Sequence, residues 1–501
     1  MAAYAREPLT LGSLLDGIAD PGDSGARKIH GLSLDSRQVA PGDCFVALKG
    51  ENASGVQFVS AAIAAGASAA LVEDSEAVLA ATIPVVCIAE LRHKLGLIAS
   101  RFFQEPSSSL DIIAVTGTNG KTTITNLCAQ ALKEIRGVAG YVGTLGYGLV
   151  DNLISSVNTT PDPITLQRLF AELLAQQCDS VAVEVSSHAI VQSRVVGTAI
   201  DVAVFTNVGH DHLDYHKNLA DYAEVKKSFF RTDGISHAII NIDDEVGRDL
   251  LRENRSGLNY WSYSVDPSRV SVAPQHLCLA RTRSVAGGVT MTIKTPEGEV
   301  DITTSLIGEF NSQNVIAALA ALMALGVCAA SAATALTRCS GVAGRMQRVD
   351  SNDDHGVAVF VDFAHTPDSL ARVLSTLREI TPRRLICVFG CGGDRDRTKR
   401  GPMGRAAENG ADWVIITSDN PRDENNADIA AEILCGVGEK DSIEVIHDRN
   451  EAIKAALEGA ERGDTVLIAG KGHELSQEIN GVSYPFSDTA VASCLLREWG
   501  R

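Results

Sequence analysis

Val115-Thr116-Gly117-Thr118-Asn119-Gly120-Lys121-Thr122-Thr123 decides how the chain is read. It follows the apolar run Ile112–Val115 and opens a helical pattern at Lys121. A strand, a glycine turn and a helix start, in that order, set free backbone N–H groups and a positive helix end against a phosphate. Glycine lets the main chain approach closely. Lys121 can neutralise the β- and γ-phosphates, and the Thr122 hydroxyl can ligate Mg²⁺. The spacing departs from the standard P-loop, because Val115 stands where the first glycine would be.

Outward from the loop, Val181–Val185, Val202–Thr206 and Ala238–Ile242 read as further buried strands. Glu184 ends the first of these; beside a phosphate loop such a carboxylate can hold the metal, and alone it is equally an edge residue. His210-Asp211-His212-Leu213-Asp214-Tyr215-His216 follows the second. Imidazole and carboxylate ligate metals, zinc by residue type, but an ATP loop favours Mg²⁺. Beyond Gly344, apolar runs at Val357–Val361, Leu385–Phe389, Trp413–Ile416, Ile443–Ile446 and Val466–Ala469 alternate with helical patterns, the signature of a doubly wound parallel sheet. Arg395, Arg397, Lys399, Arg400 and Arg405 follow one strand, and Asp419-Asn420-Pro421-Arg422 follows another. Such a charge run is a solvated face or an anion site, and Asn-Pro by itself marks a turn.

With 501 residues, three units are expected. Cys44–Leu48, Ala69–Val72 and Val85–Ile88 read as strands of the first, Val56–Ala65 and Leu91–Phe103 as its helices, and Glu105-Pro106-Ser107-Ser108-Ser109 as a linker. A 45% hydrophobic and 21% charged composition excludes disorder for most of the chain. Lys plus Arg total 44 against 62 Asp plus Glu; the net charge of −18 speaks against nucleic acid and anionic membranes as partners. The 11 cysteines lack zinc spacing, read mostly as buried small hydrophobes, and fit a reducing compartment. Met1–Thr10 has no apolar signal core. Val315–Thr337 is uncharged and long enough to span a bilayer. Alanine is its commonest residue, however, and no belts flank it, so two helices breaking near Gly326 are expected.

Together these motifs resemble the Mur ligases of peptidoglycan synthesis. Thr116–Thr123 looks like the family's ATP loop. Asn158-Thr159-Thr160-Pro161, Glu184–His188, Asp211-His212-Leu213-Asp214, Gly344-Arg345-Met346, Asp362 with Ala364–Leu370, and Gly470-Lys471-Gly472-His473-Glu474 also fit. Asp419–Arg422 is similar to the motif with which family members recognise diaminopimelate. The resemblance implies an α/β chain of three domains. Residues 1–108 would bind the UDP-muramoyl end, 109–343 would form a P-loop ATPase-type parallel or mixed sheet, and 344–501 would form a Rossmann-like, amino-acid-binding sheet.

It also implies roles. Leu34, Ser36, Glu51, Asn52, Ala53, Asn158, Thr159, Thr160, Ser186, Gln192 and Arg194 would hold the UDP-sugar-peptide. Gly117, Thr118, Asn119, Gly120, Lys121, Thr122, Thr123, Asn311, Asn314, Arg345 and Asp362 would hold ATP. Arg395, Asp419, Asn420, Pro421, Arg422, Gly470 and Glu474 would hold diaminopimelate. Thr122, Glu184, His212 and Lys226 as a carbamate would hold Mg²⁺, and Lys121, Lys226 and His212 would be catalytic. His210, Lys217, Gln347, Ser54 and Val56 depart from the family pattern. The implied reaction is ATP-dependent addition of meso-2,6-diaminopimelate to UDP-N-acetylmuramoyl-L-alanyl-D-glutamate through an acyl phosphate, by a cytoplasmic monomer. Addition of lysine, glutamylation of folate and a P-loop ATPase of non-ligase type are the alternatives. Arg422 argues against lysine, and the first unit against folate.

Overall fold

A computed structural model describes residues 8–50, 54–73, 81–156, 158–209, 218–285, 288–349, 356–438 and 442–498. Among them three main sheets follow one another along the chain. The first has four parallel strands, Leu32–Ser33, Cys44–Ala47, Ala69–Val72 and Val85–Cys87. The helix Leu91–Phe102 packs on it through Leu91, Leu95 and Ile98.

The second sheet has eleven strands. At its centre Gly140–Gly143, Ser180–Glu184, Asp111–Thr116, Ile200–Phe205, Ile235–Asn241, Asn259–Ser264 and Gln275–Val285 lie parallel in that order. Antiparallel hairpins finish both edges. Side chains alternate faces along a strand, so both faces of a covered sheet must be apolar. In Asp111–Thr116, Ile113 and Val115 pack against the helices Lys121–Arg136 and Glu309–Ala324, while Ile112 and Ala114 face Leu166, Phe170 and Phe229 on the other side.

The third sheet runs Gln347–Arg348, Ala358–Asp362, Thr465–Ala469, Leu385–Phe389, Trp413–Ile416, Ile443–Val445, parallel except for the first strand. Helices cover both faces, which makes it doubly wound as expected. A separate ribbon of Ser476–Ile479 and Val482–Pro485 stands beside it.

The uncharged alanine run forms the end of Glu309–Ala324 and most of Ala329–Arg338, broken at Gly326 with φ +87°. No helix among the described residues is long and apolar enough to cross a membrane. Glu105–Ser109 runs between the helix Leu91–Phe102 and the strand Asp111–Thr116 as a packed segment: Pro106–Ser109 is a 3-10 turn with Pro106 and Ser107 buried, and the Ser107 hydroxyl accepts from the Ala199 amide. One expectation needs correction. The cysteines are all free, but only Cys44, Cys128, Cys178, Cys387 and Cys391 are buried.

Candidate active site

The site forms where strand ends of the second and third sheets face each other, the usual ligand position in open α/β sheets. The helix Lys121–Arg136 begins without a side-chain cap, whereas Asp162, Thr366 and Asp448 cap theirs. Its first amides are therefore available to an anion. Both loop glycines are required. Gly117 (φ +146°) and Gly120 (φ +89°) lie where a Cβ would come within 1.7 Å of Thr206 Oγ1 and 2.5 Å of Asn314 Oδ1. The loop is held from the next strand end. Asn207 Oδ1 accepts from the Asn119 amide at 3.0 Å, Thr206 Oγ1 donates to the Asn119 carbonyl at 2.6 Å, and the Gly209 amide donates to Thr118 Oγ1 at 3.0 Å. Lys121 Nζ donates to the carbonyls of Gly117 (2.9 Å) and Thr118 (2.8 Å).

Glu184 is fully buried and takes four bonds. Thr122 Oγ1 (2.9 Å) and Thr144 Oγ1 (3.1 Å) donate to Oε2; Tyr141 Oη (2.5 Å) and the Thr144 amide (2.8 Å) donate to Oε1. Burial, then the charge of Glu184, holds the Tyr141 phenol well above its ordinary range. Lys226 is buried too; its Nζ donates to the Gly117 carbonyl at 2.8 Å and lies 4.4 Å over the Tyr222 ring. Thr122 and Glu184 are hard oxygen donors at a phosphate loop, which suits Mg²⁺. Among the described residues no group of three or more His, Cys, Asp and Glu could hold a metal.

Thr160, Ser186, Gln192 and Arg194 come together beside Glu184. Thr160 Oγ1 donates to the Glu184 carbonyl (2.7 Å) and accepts from the Ser186 amide (3.1 Å); Arg194 donates to the Thr160 carbonyl and to Gln192 Oε1. Thr159 Oγ1 is 3.2 Å from Thr144 Oγ1, and the neighbouring Asn158 carbonyl accepts from Ser156 Oγ. Asn314 sits against Gly120 and donates to Asn311 Oδ1. Asp362, buried and thereby raised in pKa, accepts from the amides of Met346 and Ala364 and so ties the segment after Gly344 to the third sheet. Leu34 and Ser36 follow Leu32–Ser33 in the first sheet. Glu51, Asn52, Ala53, and His210 to Lys217 with His212, lie outside the described residues.

Across the cleft, Asn420 Nδ2 donates to Glu474 Oε2 at 2.8 Å. Gly470 faces Asp419 so closely that a Cβ would lie 2.6 Å from its Oδ2. Arg422 (φ +51°), next to Pro421, donates to the Gly393 carbonyl at 2.7 Å and pairs with Glu478. Arg395 and Arg422 both border Gly392. The rest of the basic run divides: Arg400 is fully buried on Glu424 and Glu432, and Arg397 pairs with Glu432, so both are structural. Arg345 joins the two halves, with Nη2 3.4 Å from Thr122 Oγ1 and its guanidinium 4.6 Å over Phe363. His473 meets the Thr144 carbonyl; burial and Arg345 lower its pKa to about 4. Gln347, at a departing position, accepts from the Gly344 amide at 2.7 Å, a bond its amide oxygen can make as a carboxylate would.

Sequence reasoning gave no role to Tyr141, Thr144, Asn207 or Lys471. Tyr141 lies in the glycine-bracketed strand Gly140–Gly143 and Thr144 follows it, where no apolar run marks a buried strand, and Lys471 lies within the Gly470–Glu474 motif.

A phosphate loop and a buried carboxylate, facing the strand ends of a second parallel sheet, define a nucleotide-using ligase. The chain belongs to the Mur ligase family: residues 28–103 match the Mur ligase family catalytic domain, 115–322 the middle domain and 344–472 the glutamate ligase domain. It is 41% identical over 473 residues to a UDP-N-acetylmuramoyl-L-alanyl-D-glutamate–2,6-diaminopimelate ligase of Coxiella burnetii, covering 93% of this chain and 96% of that one. With the enzyme of the same name from Pseudomonas aeruginosa the identity is 42%, covering 94% and 96%. A solved structure with that name matches with a TM-score of 0.72 at 35% identity, over 99% of this chain and 100% of that one. The UDP-N-acetylmuramoylalanyl-D-glutamyl-2,6-diaminopimelate–D-alanyl-D-alanyl ligase of Acinetobacter baumannii shares the fold, with a TM-score of 0.64 at 20% identity over 94% and 97%.

Proposed function

We propose that this ligase joins meso-2,6-diaminopimelate to UDP-N-acetylmuramoyl-L-alanyl-D-glutamate with ATP, in peptidoglycan precursor synthesis in the cytoplasm. The division of labour is 1–108 for the UDP end, 109–343 for ATP and 344–501 for the amino acid. The observation that carries the reading is the meeting of two strand ends: Thr122–Glu184 on one side, and Asn420–Glu474 with Arg422 and Arg395 on the other.

A carboxylate does not acylate an amine in water, because its oxygen is a poor leaving group. Phosphorylation of the D-Glu carboxylate by ATP makes an acyl phosphate; the diaminopimelate amine attacks it, and the tetrahedral adduct expels phosphate. The protein's contribution is positioning and charge. Lys121 and the loop amides hold the transferring phosphoryl group, and Thr160, Ser186, Gln192 and Arg194 hold the dipeptide beside it. Asn314, Asn311, Arg345 and Asp362 line the nucleotide from the hinge side. Mg²⁺, held by Thr122, Glu184, His212 and carbamylated Lys226, would offset phosphate charge. A carbamate formed from the Lys226 amine and CO2, with release of a proton, keeps one N–H for the Gly117 carbonyl. Arg422 and Arg395 receive carboxylates, which lysine's far end lacks.

The test is phosphate release with substrates omitted in turn. Release should require both UDP-N-acetylmuramoyl-L-Ala-D-Glu and diaminopimelate. Equal release with ATP alone refutes the ligase reading, and equal use of lysine refutes the specificity.

A further inference from the structure

Lys471 has no role in the scheme above, yet it is fully buried and its Nζ reaches two residues of the amino-acid pocket. It lies 2.9 Å from Asn420 Oδ1 and 2.8 Å from Glu474 Oε2. Asn420 Nδ2 donates to that same Glu474 oxygen, and the Glu478 amide donates to Asn420 Oδ1. Two donors thus converge on Oε2, while Oε1 makes no hydrogen bond among the described residues. The burial is lopsided. In the structural ion pair Arg449–Asp488 both side chains are 0% exposed, whereas Lys471 is 0% and Glu474 is 32% exposed. The cation is inside, and the carboxylate stands at the pocket wall.

We propose that Lys471 is a positioning residue for amino-acid recognition: with Asn420 it locks Glu474 so that Oε1 is presented to an ammonium group of the incoming amino acid. A glutamate with several free rotamers would have to be ordered at binding, whereas here that ordering is built in. The inference rests on the proposed reading of Asn420 and Glu474 as pocket residues.

A double-mutant cycle on the full-length enzyme tests it, with Lys471→Met, Glu474→Gln and both together, measuring KM for diaminopimelate and for ATP. Lys471→Met should raise the diaminopimelate KM roughly ten- to a hundred-fold, the range of a charge-assisted hydrogen bond, and leave the ATP KM unchanged. The double variant should resemble Glu474→Gln alone. An unchanged diaminopimelate KM, additive effects, or parallel losses for ATP overturn the proposal. If Lys471→Met does not fold, Lys471→Gln, which keeps a donor without the charge, takes its place in the cycle. A parent enzyme that makes no product from diaminopimelate overturns the functional reading and this inference with it; a parent that does, with no effect of Lys471, overturns the inference alone.

Discussion

Replacing Glu184 separates its charge from its hydrogen bonds. In Glu184→Gln the amide oxygen can take the Oε1 place, facing Tyr141 Oη and the Thr144 amide, the one donor that cannot turn. The new NH2 then faces the hydroxyls of Thr122 and Thr144, which rotate to accept. Every bond survives, so the stability change should stay within about 1 kcal/mol. Glu184→Ala strands the Thr144 amide, at a cost of about 1–3 kcal/mol for that donor alone, and leaves a void besides. Activity should not follow stability. On the proposed reading Glu184 would help hold Mg²⁺, and glutamine lacks its anionic charge; even outer-shell changes at metal sites cost about 10–100-fold, so both variants should fall at least that far. Thermal melts and phosphate release against Mg²⁺ concentration are the assays. A glutamine variant with parental activity at the same Mg²⁺ concentration, or one melting as low as the alanine variant, refutes the reasoning.

Lys226→Ala should lose most turnover and regain part of it with an added small carboxylate; absence of rescue, with an unmodified lysine in the active enzyme by mass, counts against the carbamate. Arg422→Ala should reduce kcat/KM for diaminopimelate by about ten- to a hundred-fold with ATP use intact, and parallel losses for both would make Arg422 a turn residue. Asp488→Ala leaves the buried Arg449 guanidinium without its carboxylate, at about 3–5 kcal/mol; denaturant unfolding should show it, and a parental midpoint would refute it. His473 has a folded pKa of about 4 against an ordinary 6.5. The fold favours its neutral form, so its contribution is complete above pH 6.5 and is lost as pH falls from there toward 4. His473→Gln should flatten the stability profile in that window, and an unaltered profile excludes the effect.

The parallel strands were legible wherever burial on both faces left an unbroken apolar run: Ala69–Val72, Leu385–Phe389 and Trp413–Ile416 lie where the sequence predicts them. The edge hairpins were not. Gly140–Ile154 is rich in glycine, and Gln275–Thr304 mixes threonine, arginine and valine on a half-covered surface, so neither shows the run that marks a buried strand. Within the site, the glycine loop and the Glu184 strand end could be read because local order along the chain creates them. The convergence of Tyr141, Thr144 and Thr122 on Glu184, and the division of the arginine run into buried Arg400 and Arg395 beside Gly392, depend on contacts between distant segments.

The ribbon Ser476–Pro485 is a two-stranded sheet of its own. It grips Asn420 and Arg422 from outside the six-stranded sheet, by the Glu478 amide on Asn420 Oδ1, the Arg422 amide on the Glu478 carbonyl and the Asn480 amide on the Arg422 carbonyl. The ribbon contributes main-chain groups to all three bonds, and its side chains add to the grip: Glu478 pairs with Arg422, and Gln477 Nε2 donates to the Asp419 carbonyl at 2.7 Å. These ten residues, of the 158 in 344–501, thus fix the two residues on which the proposed amino-acid pocket depends from outside the hydrophobic interior of the six-stranded sheet.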